Sequence, residues 1–349
     1  MSRIPVFLLS GFLGSGKTTL LKELLADPGF SNTAVVMNEF GAIGLDHLML
    51  ERGSDSVVLL ESGCICCTLS DSVHETLADL YFRRTRRELL PFERVVIETT
   101  GLADPAPILN TLLGNRLVTD HYRLEATVVT VDAEHALGNM AANPEVEKQI
   151  AVADRIVLTK IDLAGAAAGA ALRSRMANLN REAEVLESRH GDAALGAFAP
   201  ASIPRICVEA VPLPRHVLHH ALTHTHASPH GTEMGSCSFI LEQPISWAGI
   251  AAWTRLATET FAEHLLRCKG LLQVAGGDII FLQGVQGIFH FSERRKCWPD
   301  EDHRSRLVCI GRSLDEAQLR ASLQAFYLPA GSDPYVTLTD LDLANQRNN

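Results

Sequence analysis

The stretch GFLGSGKT, Gly11 to Thr18, limits what this chain can fold into more than any other. It fits the spacing G-x-x-x-x-G-K-[ST] and stands between an apolar run, IPVFLLS (4–10), and the helical run TTLLKELL. A strand, a glycine-rich loop and a helix in that order turn successive backbone N–H groups toward one point, and the helix N-terminus adds a favourable dipole. That is a cradle for phosphate. Lys17 is expected to reach the β- and γ-phosphates of a nucleotide and Thr18 to ligate Mg²⁺.

Further apolar, β-branched runs follow at 33–38, 57–61, 94–98, 126–131 and 156–159, with helical stretches between them. Near-continuous apolar strands alternating with helices predict a doubly wound α/β domain over 1–198, its parallel sheet covered on both faces. SVHE (72–75) reads as a capping box opening VHETLADLYFRR, and Asp104 before Pro105 reads as a helix cap. Residues 199–235 hold five prolines and the run HHALTHTHASPH (219–230), the composition of a linker. A smaller α+β domain is expected over 236–327. Its elements are a strand at 237–242, a helix over 246–267, strand-like runs at 271–275 and 278–284, a strand at 307–311 and a helix opened by SLDE (313–316). Residues 328–349 read as a flexible polar tail.

Two segments complete a nucleotide site. VVIETTG (95–101) is an apolar strand ending in an acid, Glu98, with Gly101 three positions on. This is the position from which a carboxylate holds Mg²⁺ or its water, and from which a glycine N–H meets the γ-phosphate. LTKID (158–162) also follows a strand. The Lys160 stem would pack over a base while Asp162 accepts from N1–H and the exocyclic amine of guanine, a donor pair adenine lacks. With the phosphate loop in register before it, GTP is favoured over ATP.

The chain has eight cysteines, and three of them, Cys64, Cys66 and Cys67, fall within ESGCICCTLSD (61–71). A chain of 349 residues needs no disulfide staples, and no signal-peptide pattern or membrane-length apolar run suggests export. Clustered thiols in the reducing cytoplasm read as a soft-metal site. Cys64 and Cys66 lie two apart and would point the same way in an extended loop, and Cys67 closes a third vertex if the chain turns. Three thiolates leave a tetrahedral Zn²⁺ one position short, as a transfer site needs, with Co²⁺ and Ni²⁺ also allowed. The competing reading, small hydrophobes in a core, fits poorly beside Gly63, Thr68 and Ser70. His224, His226 and His230 are either a secondary metal site or part of a solvated linker.

These motifs resemble the CobW/YjiA-type P-loop GTPases, the metal-handling relatives of UreG and HypB. The resemblance rests on GFLGSGKTTLL, NEFGAIGLD (38–46), GCICC (63–67), IETTGLADP (97–105), VDA (131–133) and LTKID, and continues through LLRCKGLL and FLQGVQ. It implies a GTPase domain, a smaller C-terminal domain and a role in supplying zinc or a related metal to client metalloproteins. By position, the resemblance implies that Gly11, Gly14, Ser15, Gly16, Lys17, Thr18 and Thr19 hold the triphosphate and Mg²⁺. It assigns Glu98 and Gly101 to the catalytic and switch elements, Lys160 and Asp162 to the base, and Cys64, Cys66 and Cys67 to the metal. It sets Glu39 in the first switch, near Mg²⁺ or the transferred cation. Some relatives carry glutamates where this chain has Met37 and Ala42, and Thr159 stands where many GTPases have asparagine.

The expected function is a slow, GTP-hydrolysing zinc metallochaperone whose nucleotide state controls the metal on the C-x-C-C loop. A nucleotide-gated zinc sensor or store, and a cobalt-insertion accessory protein of cobalamin synthesis, are the alternatives. A net charge of −10 argues against a nucleic-acid surface. The expected partners are GTP or GDP, a client protein and, compatibly, further copies of the chain.

Overall fold

The computed structural model describes residues 3–37, 58–61, 69–200, 234–329, 331–332 and 335–337. The chain divides into two compact units, Met1–Ala177 with Ala183–Pro204, and Asn178–Glu182 with Arg205–Asn349.

In the first unit seven strands form one sheet: β1 (Ile4–Gly11), β2 (Thr33–Met37), β3 (Val58–Glu61), β4 (Arg94–Glu98), β5 (Tyr122–Asp132), β6 (Arg155–Thr159) and β7 (Glu184–Glu187). Their order is β3-β2-β4-β1-β5-β6-β7 and every pairing is parallel. The main helices are α1 (Lys17–Ala26), α2 (Leu69–Thr85), α3 (Ala106–Gly114), α4 (Pro144–Val152) and α5 (Ala166–Leu179). The connection from β1 runs to one side of the sheet and those from β3, β4, β5 and β6 to the other. Right-handed crossovers therefore put α1 on one face and the other helices on the opposite face. Strand alternation fits this layering. Phe7 and Leu9 join Leu20, Leu21 and Leu24 of α1 in one core, while Val6 and Leu8, on the other face, are equally buried. The expected doubly wound fold is present, and its direction of winding changes at β1. Ligands of such sheets bind outside the carboxyl ends of the strands at that point.

The second unit holds β8 (Met234–Leu241), α6 (Trp247–Phe261), β9 (Leu265–Gln273), β10 (Ile279–Val285), β11 (Ile288–Arg295), β12 (Ser305–Arg312) and α7 (Glu316–Ser322). The strands form an antiparallel sheet in the order β11-β10-β9-β12-β8. Trp253, Leu256 and Phe261 of α6 pack with Phe239, Leu272, Ile280, Leu282, Leu307 and Phe326.

Several local expectations need correction. The helix expected over 246–267 ends at Phe261, and Leu265 to Arg267 begin β9 instead. Leu265 and Leu266 satisfy either period. Pairing with both β10 and β12 decides for a strand, because a central strand is buried on both sides. SVHE lies inside α2, which starts at Leu69, since S-x-x-E spacing also occurs within a helix. In SLDE the cap is Asp315, whose side chain accepts from Gln318 N at 3.1 Å, while Ser313 sits in a left-handed turn at φ 50°. Asp104 Oδ1 accepts from Ala106 N at 3.0 Å, but the cap position of α3 falls one residue on, at Pro105. Strands β7 and β11 had no expectation. Both are edge strands, carrying polar residues such as Glu184, Glu187, Arg294 and Arg295 that break an apolar run.

Cys237, Cys268 and Cys309, scattered in sequence, meet in the second unit. Cys309 stands opposite Cys237 on β8 and Cys268 on β9, with 3.8 Å between its Sγ and that of Cys268. Burial pushes the Cys237 thiol up to about 12, and the neighbouring Cys268 thiol and burial raise that of Cys309. All three are buried in the apolar core and pack as small hydrophobes. Among the described residues no helix is long and apolar enough to cross a membrane.

Candidate functional site

The phosphate loop leaves β1 and enters α1 at the sheet edge where the winding reverses. Gly14 and Gly16 have φ of 68° and 93°, in the left-handed region that glycine adopts without strain. Gly16 occupies the cap position of α1, with no side-chain cap and no acidic residue in the first turn. An anion arriving there meets the helix dipole, and no carboxylate of the helix's own first turn competes with it.

Lys17 Nζ donates to Gly11 O at 2.9 Å and Phe12 O at 3.2 Å, which folds the ammonium back over the loop. Thr18 Oγ1 donates to Glu98 Oε1 at 3.2 Å, and Glu98 is buried at the end of β4. A hydroxyl and a buried carboxylate in contact at the mouth of a phosphate loop are hard oxygen donors of the kind Mg²⁺ takes, and these two residues fit it. Ser15 turns its hydroxyl inward, 2.7 Å from Thr130 Oγ1, so its part in a phosphate cradle would fall to the backbone. Thr19 is exposed on the first turn of α1. Gly101 rests on the loop itself. A Cβ added there would lie 2.6 Å from Leu13 N, so only glycine allows this approach.

At the turn after β6, Lys160 is left-handed at φ 55° and its Nζ donates to Asp132 Oδ2 at 2.7 Å. Asp162 is exposed beyond it. Asp132, at the end of β5, also accepts from Glu134 N at 2.9 Å and His135 N at 3.3 Å. Its burial opposes ionisation, but Lys160, the Glu134 amide and His135 outweigh that and hold the carboxyl below its ordinary value. Thr159 Oγ1 donates to Ser15 O at 2.7 Å, joining the turn after β6 to the phosphate loop.

Sequence reasoning missed Asp132, Thr130 and Gln149. Asp132 lay within the quoted VDA, a signal without a role until Lys160 was set against it; the others carried no signal. Among the described residues, Asp132, Glu134 and His135 form the one group of three potential metal ligands with ligand atoms within 4.8 Å of one another. The Lys160 ammonium already sits on Asp132 there. Glu39, Cys64, Cys66, Cys67, His224, His226 and His230 lie outside the described residues.

Replacing Asp132 with asparagine is expected to weaken guanine-nucleotide binding about tenfold, the equivalent of about 1.4 kcal/mol, because Lys160 loses the charge that orients it. Titration with a fluorescent GDP analogue measures this. The native carboxyl titrates below the ordinary 3.8. Its contribution to stability is therefore complete above that value and lost as pH falls through the lower native one, so the Asp132→Asn effect on binding should be constant from about pH 6 to 8.

Residues 5–187 match the family model described as CobW/HypB/UreG, nucleotide-binding domain, and residues 234–327 match the Cobalamin synthesis protein cobW C-terminal domain. The zinc chaperone YjiA of Escherichia coli is 33% identical over 323 residues, covering 92% of this chain and 98% of that protein. Zinc-regulated GTPase metalloprotein activator 1 of Schizosaccharomyces pombe is 26% identical over 345 residues, covering 89% of this chain and 83% of that protein. The crystal structure of Zn(II)-bound YjiA GTPase from E. coli has a TM-score of 0.68 at 29% identity, covering 94% of this chain and all of the other.

Proposed function

The chain belongs to the CobW/HypB/UreG family, and from that premise we propose that it is a GTP-hydrolysing metallochaperone that carries Zn²⁺ to a client metalloprotein. The observation that carries this reading is the meeting of Lys17, Thr18 and Glu98 at one sheet edge, in a chain that matches a zinc chaperone over 92% of its length. Lys17 and the loop amides bind and neutralise the β- and γ-phosphates. Thr18 and Glu98 hold Mg²⁺, which when bound offsets the charge that develops during transfer to water. Lys160 and Asp162 select guanine.

Cys64, Cys66 and Cys67 hold the cargo. Strand β3 ends at Glu61, on the same register row as Met37, Glu98 and Leu9, which is the edge of the sheet where the phosphate loop leaves β1. Three strand spacings separate β3 from β1, about 14 Å. Thiolate sites hold zinc by about 10–16 kcal/mol, too tightly for prompt release. Switching a holding state from mostly populated to mostly empty needs about 5.5 kcal/mol of differential affinity. Ordering of the neighbouring switch segments by the γ-phosphate supplies part of that difference.

Zinc affinity is therefore expected to differ at least tenfold between the GTP-analogue and GDP states. Competition titration with a zinc chelator dye measures it. Thiolate-to-Co²⁺ absorption of the wild type should vanish in Cys66→Ala. Equal zinc affinity with GTP analogue, with GDP and without nucleotide would show that nucleotide state does not control the metal.

A further inference from the structure

Gln149 does something no sequence motif announces. It lies in the middle of α4, is 1% exposed, and points a polar side chain into the loop that follows β4. Its Nε2 donates to Gly101 O at 3.2 Å and to Ala103 O at 3.1 Å. The preceding residue, Lys148, reaches the same loop, its Nζ 3.4 Å from Asp104 Oδ2. Two consecutive helical residues thus fasten three loop residues.

The loop they hold is pressed against the phosphate cradle. Gly101 packs so closely on Leu13 that a Cβ has no room, and Leu102 beside it is exposed. The loop begins at Thr99, whose N–H donates to Leu9 O and whose hydroxyl donates to Ser10 Oγ, both at 2.9 Å. From Thr99 to Asp104 the segment is therefore tied at its start to β1 and at its far end to α4. Gly101, one of the residues that Gln149 holds, stands against the phosphate loop at Leu13. Gln149 also lines a small cavity beneath that loop together with Phe12, Leu13, Ser15, Thr130 and Asn139. Its Oε1 has no hydrogen-bond partner among the described residues. A buried amide with both hydrogens used and its oxygen spare is held for its donors. Leucine or methionine would fill the same volume, and neither offers an N–H to a carbonyl.

We propose that Gln149 is a positioning residue for the γ-phosphate: its amide fixes the Gly101–Ala103 backbone against Leu13, so that the Gly101 N–H is set in advance for a triphosphate. This inference rests on the GTPase reading above. The diphosphate and the base are held elsewhere, by the loop from Gly11 to Thr19 and by the turn at Lys160. Loss of the amide therefore acts selectively on whatever distinguishes GTP from GDP. A general loosening of the core would weaken both nucleotides alike.

The test compares wild type with Gln149→Met, which keeps volume and removes the donors. The measurements are the Kd for GDP, the Kd for a non-hydrolysable GTP analogue, and kcat and KM for GTP. Gln149→Met should hold GDP within about twofold of wild type. It should bind the GTP analogue or turn over GTP about tenfold less well, with kcat falling more than KM changes. Lys148→Met, altered at a half-exposed site on the same loop, should show the same selectivity at about threefold, and it carries the test if Gln149→Met does not fold. Equal losses for GDP and GTP analogue, or no loss of either, overturn the proposal. A wild-type protein that neither binds nor hydrolyses GTP overturns instead the reading on which it rests.

Discussion

Replacing Lys17 with alanine is expected to lower GTP hydrolysis on the order of 10²–10³-fold, the scale of losing one preorganised charge-stabilising donor. The ammonium now donates to Gly11 O and Phe12 O, two carbonyls of the phosphate loop. It is thus held over the place where phosphate oxygens would gather, and its charge has little distance to travel when they do. Alanine removes both the charge and the donors. It leaves Gly14 and Gly16 in their left-handed conformations and α1 with its amide-rich N-terminus. Some nucleotide binding should persist through those amides, with GDP affected less than GTP because the lysine addresses the β- and γ-phosphates. Phosphate release and fluorescent-nucleotide titration together check this. Turnover within about threefold of wild type would remove Lys17 from the site.

The largest effect on stability is expected from Trp253→Ala in the second unit. The indole is fully buried and stacked on Phe326 at 4.7 Å and 21°, with Phe289 edge-on at 5.3 Å. Its Nε1 donates to Ser322 Oγ at 3.1 Å. Truncation removes the contacts of a whole ring system and leaves a cavity between α6 and the sheet, a loss of about 3–5 kcal/mol. Domains of this kind have about 5–15 kcal/mol in total, so a large share of the unit's stability goes with one side chain. The chain's three tryptophans, Trp247, Trp253 and Trp298, all lie in this unit, so fluorescence in a urea titration follows it selectively. The two that are left in Trp253→Ala should report a midpoint shifted down, and Trp253→Phe should recover more than half of the loss. An unchanged midpoint would mean that the ring is not part of the core.

Much of the first unit could be read directly from the chain. The phosphate loop, the strand ending at Glu98 and the turn at Lys160 each carry their signal in a few adjacent residues, because the backbone geometry they need is local. Gly14 and Gly16 illustrate it: only glycine takes their φ angles cheaply, so the residue type declares the conformation. The same holds for buried parallel strands, which are apolar along their whole length. Asp132 and Lys160 are 28 positions apart, and neither identity implies that they form an ion pair. Gln149 is harder still. In EVEKQIAV it is one more polar residue on a helix, and only the approach of Gly101 and Ala103 gives its amide two acceptors.

The second unit shows where local reading fails. Leu265 to Arg267 continue the apolar spacing of the helix before them, and the chain nevertheless turns into β9, because β10 and β12 both need a partner there. The three thiols of Cys237, Cys268 and Cys309 are far apart along the chain and become neighbours only through the register of three strands.

By itself the sequence determined the nucleotide cradle, the alternation of strands and helices, and the order in which the two units follow each other. Those depend on conformational preferences and apolar periods spanning a handful of residues. The tertiary structure alone decided which strands lie at the edges, where α6 yields to β9, and that Asp132 meets Lys160 while Gln149 reaches the loop after β4. Those outcomes depend on pairings between distant segments, whose free energy is set by burial and hydrogen-bond partners that no short stretch of sequence contains.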